Sequence, residues 1–189
     1  MLMAFCVDMR QASPSEIEVQ EVADLCTLTV DAIVNAANAQ LQAGSGVCGA
    51  VAKACGMGVF EECTKYLQGK ASVEEGHAVI TSAGNLKTVK HVIHAVGPKW
   101  DSGKAAECDK ALYNAYYNSL LLADENKLAS IAFPSLSTGI FGYPKDRAAP
   151  IAIRAVKEFI SAHAQSTVKS IIFALWADTA PLYREALSK

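Results

Sequence analysis

The chemistry of this chain concentrates where an apolar run passes two asparagines and enters a glycine-rich loop. The residues are Ala32-Ile33-Val34-Asn35-Ala36-Ala37-Asn38, then Ala43-Gly44-Ser45-Gly46-Val47-Cys48-Gly49. Glycines let backbone N–H groups converge on an anion with no side chain in the way, and a following helix N-terminus adds positive potential. The asparagine amides offer neutral donors and acceptors suited to sugar hydroxyls. A nucleotide-like diphosphate is the ligand these residues suggest.

A second segment has the same character: Phe133-Pro134-Ser135-Leu136-Ser137-Thr138-Gly139-Ile140-Phe141-Gly142-Tyr143-Pro144. Its hydroxyls and amides suit phosphate oxygens, and Phe141 presents an apolar face to a sugar or base. It reads equally as a polar turn whose glycines permit positive φ. Neither segment continues into Gly-Lys-Ser/Thr, so neither is a Walker loop. Gly44-Ser45-Gly46 with Gly49 also falls short of a dinucleotide fingerprint.

The elements that must position these loops alternate along the chain. Strand-like segments are Glu16–Val22, Ala32–Asn35, His77–Ser82, His91–Val96, Ser130–Phe133 and Val168–Leu175, most of them rich in Val and Ile. Helical patterns cover Gly46–Cys55, with Val47, Val51 and Cys55 on one face, and Gly58–Leu67 between Gly56 and Gly69. Lys104–Asp124 reads as a long helix burying Ala111, Ala115, Leu120 and Leu121. Another spans Pro144–His163, its inward stripe formed by Ile151, Ala152, Ala155, Val156, Phe159, Ile160 and His163, with regular helix expected from Ala149 so that Pro150 falls in the first turn. Ala180–Ser188 closes the chain as a short helix. Such alternation implies an α/β fold with a largely parallel sheet covered on both faces, and ligands bind such sheets at the carboxyl ends of the strands. Both glycine-rich loops leave strands at that end.

Composition fits one domain over 1–189: 51% of residues are apolar and 19% charged. A net charge of −2 argues against nucleic acid as a partner, and no apolar run approaches a membrane span. Met1 to Arg10 lacks the pattern of a secretory signal. The cysteines Cys6, Cys26, Cys48, Cys55, Cys63 and Cys108 form no Cys-x-x-Cys pair and no zinc spacing, so a reduced cytoplasmic chain without a metal or cofactor is expected.

Together, Val34-Asn35-Ala36-Ala37-Asn38, the glycine loop after it, His91-Val92-Ile93-His94-Ala95-Val96-Gly97-Pro98 and Pro134-to-Gly142 resemble the macrodomain family, most closely its MacroD-type branch. The resemblance runs from about Val22 to the C-terminus. It implies a three-layer α/β/α sandwich with a mixed, largely parallel central sheet that binds ADP-ribose. The activity implied is removal of ADP-ribose from modified acidic side chains and hydrolysis of O-acetyl-ADP-ribose, with those compounds or mono-ADP-ribosylated proteins as partners.

The resemblance also assigns roles. Asp24 matches the aspartate that accepts from the adenine amino group, with the Leu25 backbone beside it; from the residues alone it reads as a turn cap. Trp176 matches the aromatic residue packed on adenine, where sequence alone allows ordinary rim packing. Asn38 matches the asparagine at the distal ribose, whereas Asn35 is expected to bond the loop's own backbone. Gly44, Ser45, Gly46 and Val47 on one side, and Ser137, Thr138, Gly139, Ile140 and Phe141 on the other, would clamp the diphosphate. His91 and His94 are read as structural.

Three departures from the family pattern stand out. Ala23 replaces a glycine before Asp24, Cys26 stands where threonine is common, and Cys48 occupies the catalytic position of an aspartate implicated in water activation. Ala23 is tolerable if its φ is negative. With no histidine partner evident, Cys48 is read as packing or shaping the loop rather than as a nucleophile. The substrate's own phosphate can then activate water. The alternative is a non-catalytic reader of ADP-ribose, which the loss of the aspartate favours.

Overall fold

The computed structural model describes residues 15–189; the Met1–Arg10 segment and Cys6 lie outside them. Six strands, β1 (Glu16–Glu21), β2 (Val30–Ala37), β3 (Ala78–Ser82), β4 (Val89–Val96), β5 (Ser130–Phe133) and β6 (Ser170–Leu175), form one sheet in the order β1-β6-β5-β2-β4-β3. Every pairing is parallel except β3 with β4.

Residue alternation along the strands builds two faces. Ala32, Val34, Ile131, Phe133, Ile171 and Phe173 point to one core, which is closed by α3 (Ala105–Glu125), α4 (Lys145–Ala162) and α5 (Ala180–Ser188). Ile33, Val92, Ala132, Ile172 and Ala174 point to the other, under α1 (Gly46–Cys55) and α2 (Gly58–Tyr66). The fold is therefore an α/β/α sandwich on a mixed, largely parallel sheet. Tyr116, Phe133, Phe173 and Tyr183 cluster at tilted ring geometries in the larger core, and the Tyr116 and Tyr183 hydroxyls meet at 3.1 Å, so neither polar tip is orphaned.

Two helices differ from expectation. On α3 the buried face is Cys108, Leu112, Ala115, Tyr116, Ser119, Leu120 and Ala123, whereas Ala111 and Leu121 are only partly buried. Tyr116 draws the face round because its large ring fills the centre of the core. α4 begins at Lys145 and continues through Pro150. Proline there forfeits the bond to the Asp146 carbonyl, but both residues face solvent, where water can take that acceptor. Inward, Ala148, Ala149, Ile151 and Ala152 are buried, and that packing carries the first turns.

The opening that forms the site follows from strand lengths. β2 stays paired with β4 up to Ala37 and Val96, but its pairing with β5 stops at Ile33 and Ala132. β5 ends at Phe133, and Pro134 has no N–H to extend the ladder. A crevice therefore opens between β2 and β5 at the carboxyl edge.

At the opposite edge Asp31 fastens the same strands. Its Oδ2 accepts from the amides of Ala129 (2.7 Å) and Ser130 (3.2 Å), and Oδ1 lies 2.7 Å from Lys90 Nζ. Burial works against the charge, but Lys90 and these amides prevail and hold the carboxyl below the usual carboxylate range. Asp31→Ala should lower stability by about 1–3 kcal/mol, seen as a lower urea midpoint at unchanged m-value. Because its folded pKa is depressed, Asp31's contribution is complete above the unfolded value near ~4 and fades as pH falls through the folded one. An unchanged midpoint would remove Asp31 from the fastening.

Candidate functional site

The crevice holds a cavity of about 510 Å³, lined by Asn38, Gly44 to Cys48, Ser137 to Phe141 and Trp176 among others. A smaller cavity of about 140 Å³ adjoins it, lined by Asp24 and Leu25. Gly46, Val47, Pro134, Ala174 and Trp176 border both. The residues expected at a site therefore do converge on one cleft.

Its first wall is the loop between β2 and α1. Gly46 has φ +60°, and a Cβ at Gly49 would lie 2.9 Å from the Gly44 carbonyl oxygen, so glycine is required at both. Ser45 caps α1 without a side-chain bond, and no acidic residue sits in the first turn. The positive helix end is thus left open toward the cavity. Among the described residues, no amide from Gly44 to Cys48 has an intramolecular acceptor.

The second wall repeats this arrangement. The amides from Ser137 to Phe141 also lack acceptors among the described residues, while the loop is closed by Gly142 N–H to Gly139 O (2.9 Å) and Tyr143 N–H to Ser137 O (3.0 Å). Ser137 adopts φ 63°, and its hydroxyl, on a residue only 7% exposed, has no partner. That hydroxyl occupies the space of a side chain at position 97: a Cβ on Gly97 would come within 2.2 Å of it. Gly97 is thus a site residue by subtraction, which strand patterning alone did not reveal.

Behind the second wall stands a polar–aromatic brace. The Trp100 backbone N–H donates to the Phe141 carbonyl at 2.9 Å, and its ring meets Tyr143 edge-on at 4.7 Å. The Tyr143 hydroxyl donates to Asp109, which Arg147 also grips through Nε (2.7 Å) and Nη2 (2.6 Å). Arg147's bonds, foremost, and Tyr143's hydroxyl hold the Asp109 carboxyl below its ordinary range, while burial pushes Tyr143 up.

Asn38 Oδ1 accepts from Gln42 N–H at 3.0 Å, leaving the amide nitrogen available at the cavity. Asn35 departs from expectation. It does not bond the loop backbone; its Nδ2 lies 3.0 Å from His94 Nδ1 and 3.6 Å from Cys48 Sγ. Asn35 is fully buried, and while Nδ2 meets these two side chains its Oδ1 has no partner among the described residues. His94 Nε2 meets Thr81 Oγ1 at 3.0 Å, and Cys48 Sγ donates to the Gln42 carbonyl at 3.5 Å. Cys48 therefore has a histidine in its surroundings after all, but one amide removed. His94 is structural as expected, and burial pushes its pKa down to about 4.

Asp24 is a turn cap as well as a cavity residue: Oδ1 accepts from Cys26 N–H at 2.9 Å. Oδ2 has no partner among the described residues. Trp176, 58% exposed, is pinned by Nε1–H to the Ala23 carbonyl at 3.3 Å. Ala23 is absent from the positive-φ residues, so its replacement of glycine carries no strain. Lys145 and Thr179 also line the main cavity, unanticipated because they begin the helices after the loops rather than lie within them.

A family model described as Macro domain matches residues 34–152. A Salmonella newport protein named O-acetyl-ADP-ribose deacetylase is 46% identical over 167 residues, covering 88% of this chain and 91% of that one. An uncharacterized Thermotoga maritima protein is 46% identical over 166 residues, which is 87% of this chain but 27% of that longer protein. A mutant of the Oceanobacillus iheyensis macrodomain, solved with ADPR, superposes with TM-score 0.84 at 34% identity over 93% of each chain.

His94 predicts a specific acid sensitivity. The unfolded chain takes up a proton on this histidine below pH ~6.5, whereas the folded protein resists until about 4. Folding stability should therefore decline as pH drops through that window, by about 1.4 kcal/mol per pH unit from this group. Urea titrations at several pH values read the slope. His94→Gln should be less stable at neutral pH yet lose this increment, and retention of the full slope would clear His94 of responsibility.

Proposed function

This chain belongs to the macro domain family, and on that premise we propose that it binds ADP-ribose and hydrolyses ADP-ribosyl esters, both O-acetyl-ADP-ribose and mono-ADP-ribosylated acidic side chains. The observation that carries this reading is the pair of amide runs without acceptors, Gly44 to Cys48 and Ser137 to Phe141, facing one cavity from two sides. A diphosphate supplies the acceptors they lack. The relatives' names and the neighbour solved with ADPR agree with that ligand.

Adenine belongs in the smaller cavity. Asp24 Oδ2 would accept from its amino group, the Leu25 backbone would lie beside it, and Trp176 would stack on the ring, worth ~1–3 kcal/mol by analogy with other base–aromatic contacts. A carboxylate accepts but cannot donate, which disfavours a guanine carbonyl at that point. The diphosphate then crosses between the two walls, and the distal ribose reaches Asn38 and Phe141.

Hydrolysis follows from that placement. Water held between the distal phosphate and the distal ribose adds across the ester bond. The products are ADP-ribose with a free hydroxyl and a free carboxylate, and the proton released goes to a phosphate oxygen. Free amides and the α1 N-terminus stabilise the charge that develops. Asn38 Nδ2 fixes the ribose. Cys48 shapes the loop through its bond to Gln42 rather than acting as base or nucleophile.

Incubating the protein with each ester and following free ADP-ribose tests this directly. Turnover is expected with the wild type, and Asn38→Ala should reduce it by about tenfold or more, the loss of ~1.4 kcal/mol of orientation. Cys48→Asp should keep or raise it. Binding without release at high enzyme concentration would replace the hydrolase with a reader, the function that the missing aspartate favours. Separately, Asp24→Ala should weaken ADP-ribose binding in calorimetry by about tenfold, a value typical of a hydrogen bond to a charged group. Equal affinity would reduce Asp24 to a cap.

A further inference from the structure

The wall of the main cavity is uncharged except at one point. Lys145 is the only charged side chain among the described residues that line it. It is the first residue of α4, where the helix dipole disfavours a cation. Its Nζ lies 2.5 Å from Asp178 Oδ2, and the other Asp178 oxygen accepts from Thr179 Oγ1 at 3.0 Å. Lys145 and Thr179 line the cavity while Asp178 does not. With side chains 35% and 64% exposed, this ion pair is a weak anchor that an incoming anion can displace.

Topology places Lys145 along the cleft. Asp178 and Thr179 follow β6, the neighbour of β1, whose own loop carries Asp24. The Phe141 end of the second wall is tied the other way, to Trp100 beyond β4. Thr179 N–H donates to the Trp176 carbonyl at 2.9 Å, so Lys145 is held on the Trp176 side of the main cavity, and Trp176 itself borders both cavities. With adenine against Asp24 and Trp176, the sugar next to the base lies at that junction.

We propose that Lys145 and Thr179 form a subsite for a phosphate monoester on the ribose attached to adenine. The protein then takes ADP-ribose phosphorylated on that sugar in preference to ADP-ribose itself, an inference that rests on the reading of the cleft given above. Nζ exchanges Asp178 for the phosphate dianion, and the Thr179 hydroxyl, released from Asp178, donates to a second phosphate oxygen. A cation beside the adenosine ribose is also how dinucleotide folds tell a 2′-phosphate from a hydroxyl.

Calorimetry with ADP-ribose and ADP-ribose 2′-phosphate, at low salt, tests the subsite. The wild type should bind the phosphorylated ligand at least about fivefold more tightly, a modest gain for one charge-assisted contact. Lys145→Met should bring the affinity ratio to about one, and Asp178→Asn should widen it by freeing the lysine. Raising salt to about 0.5 M should shrink the preference, since the pair is exposed. Equal binding of the two ligands by the wild type would overturn the subsite and leave the cleft's reading intact. Equal weakening of both ligands by Lys145→Met would also overturn it, by placing the lysine on the shared diphosphate. Failure of both ligands to bind would overturn the subsite and the ADP-ribose reading together.

Discussion

Backbone amides with nowhere to donate are the constraint on which this structure turns. An N–H without an acceptor is tolerated only where water or a ligand can reach it, so both runs must lie at an open edge of the fold. A parallel sheet supplies that edge by delivering the ends of β1, β2, β5 and β6 to one side. The early end of β5 keeps the edge open, because a longer strand would pair with β2 and fill the crevice. Even the absence of an acidic side chain from the first turn of α1 belongs to this logic, since it would satisfy and neutralise the same donors.

Each wall is supported by a different physics. The first is tied to the interior by a buried polar chain from Thr81 through His94 and Asn35 to Cys48 and the Gln42 carbonyl. Low dielectric strengthens such bonds and makes each expensive to leave unmade, so the chain fixes the loop's base firmly. The second wall is supported nearer the surface, by the aromatic edge contact and by Arg147's fork on Asp109. At the tip of the second wall, Ile140 is 85% exposed. The cleft thus combines two firm bases with one exposed apolar rim.

The sheet and its order of elements were legible because hydrophobic alternation marks a buried strand, and Gly46–Cys55, Ser130–Phe133 and Ala180–Ser188 carry clear boundaries. The face of α3 was less so. A tyrosine counts as polar in a pattern, yet Tyr116 is buried once its hydroxyl finds Tyr183 and the Leu136 amide. The loops announced themselves through glycine and asparagine. Their supports did not, because the partners are distant in sequence: His94 lies 59 residues from Asn35, and Arg147 lies 38 from Asp109. Gly97 and Ser137 show the same limit, since a close approach between loops is a property of the pair and neither residue carries it alone.

Ser137 holds a left-handed backbone that a non-glycine residue adopts at a cost of order 1–3 kcal/mol, and it does so with an unsatisfied hydroxyl. A glycine there would relieve the conformation and discard the hydroxyl in one step. The protein is therefore held away from its stability optimum at this point. Engineering for heat resistance would be drawn first to this position, and a gain in melting temperature there would come at the expense of the cleft.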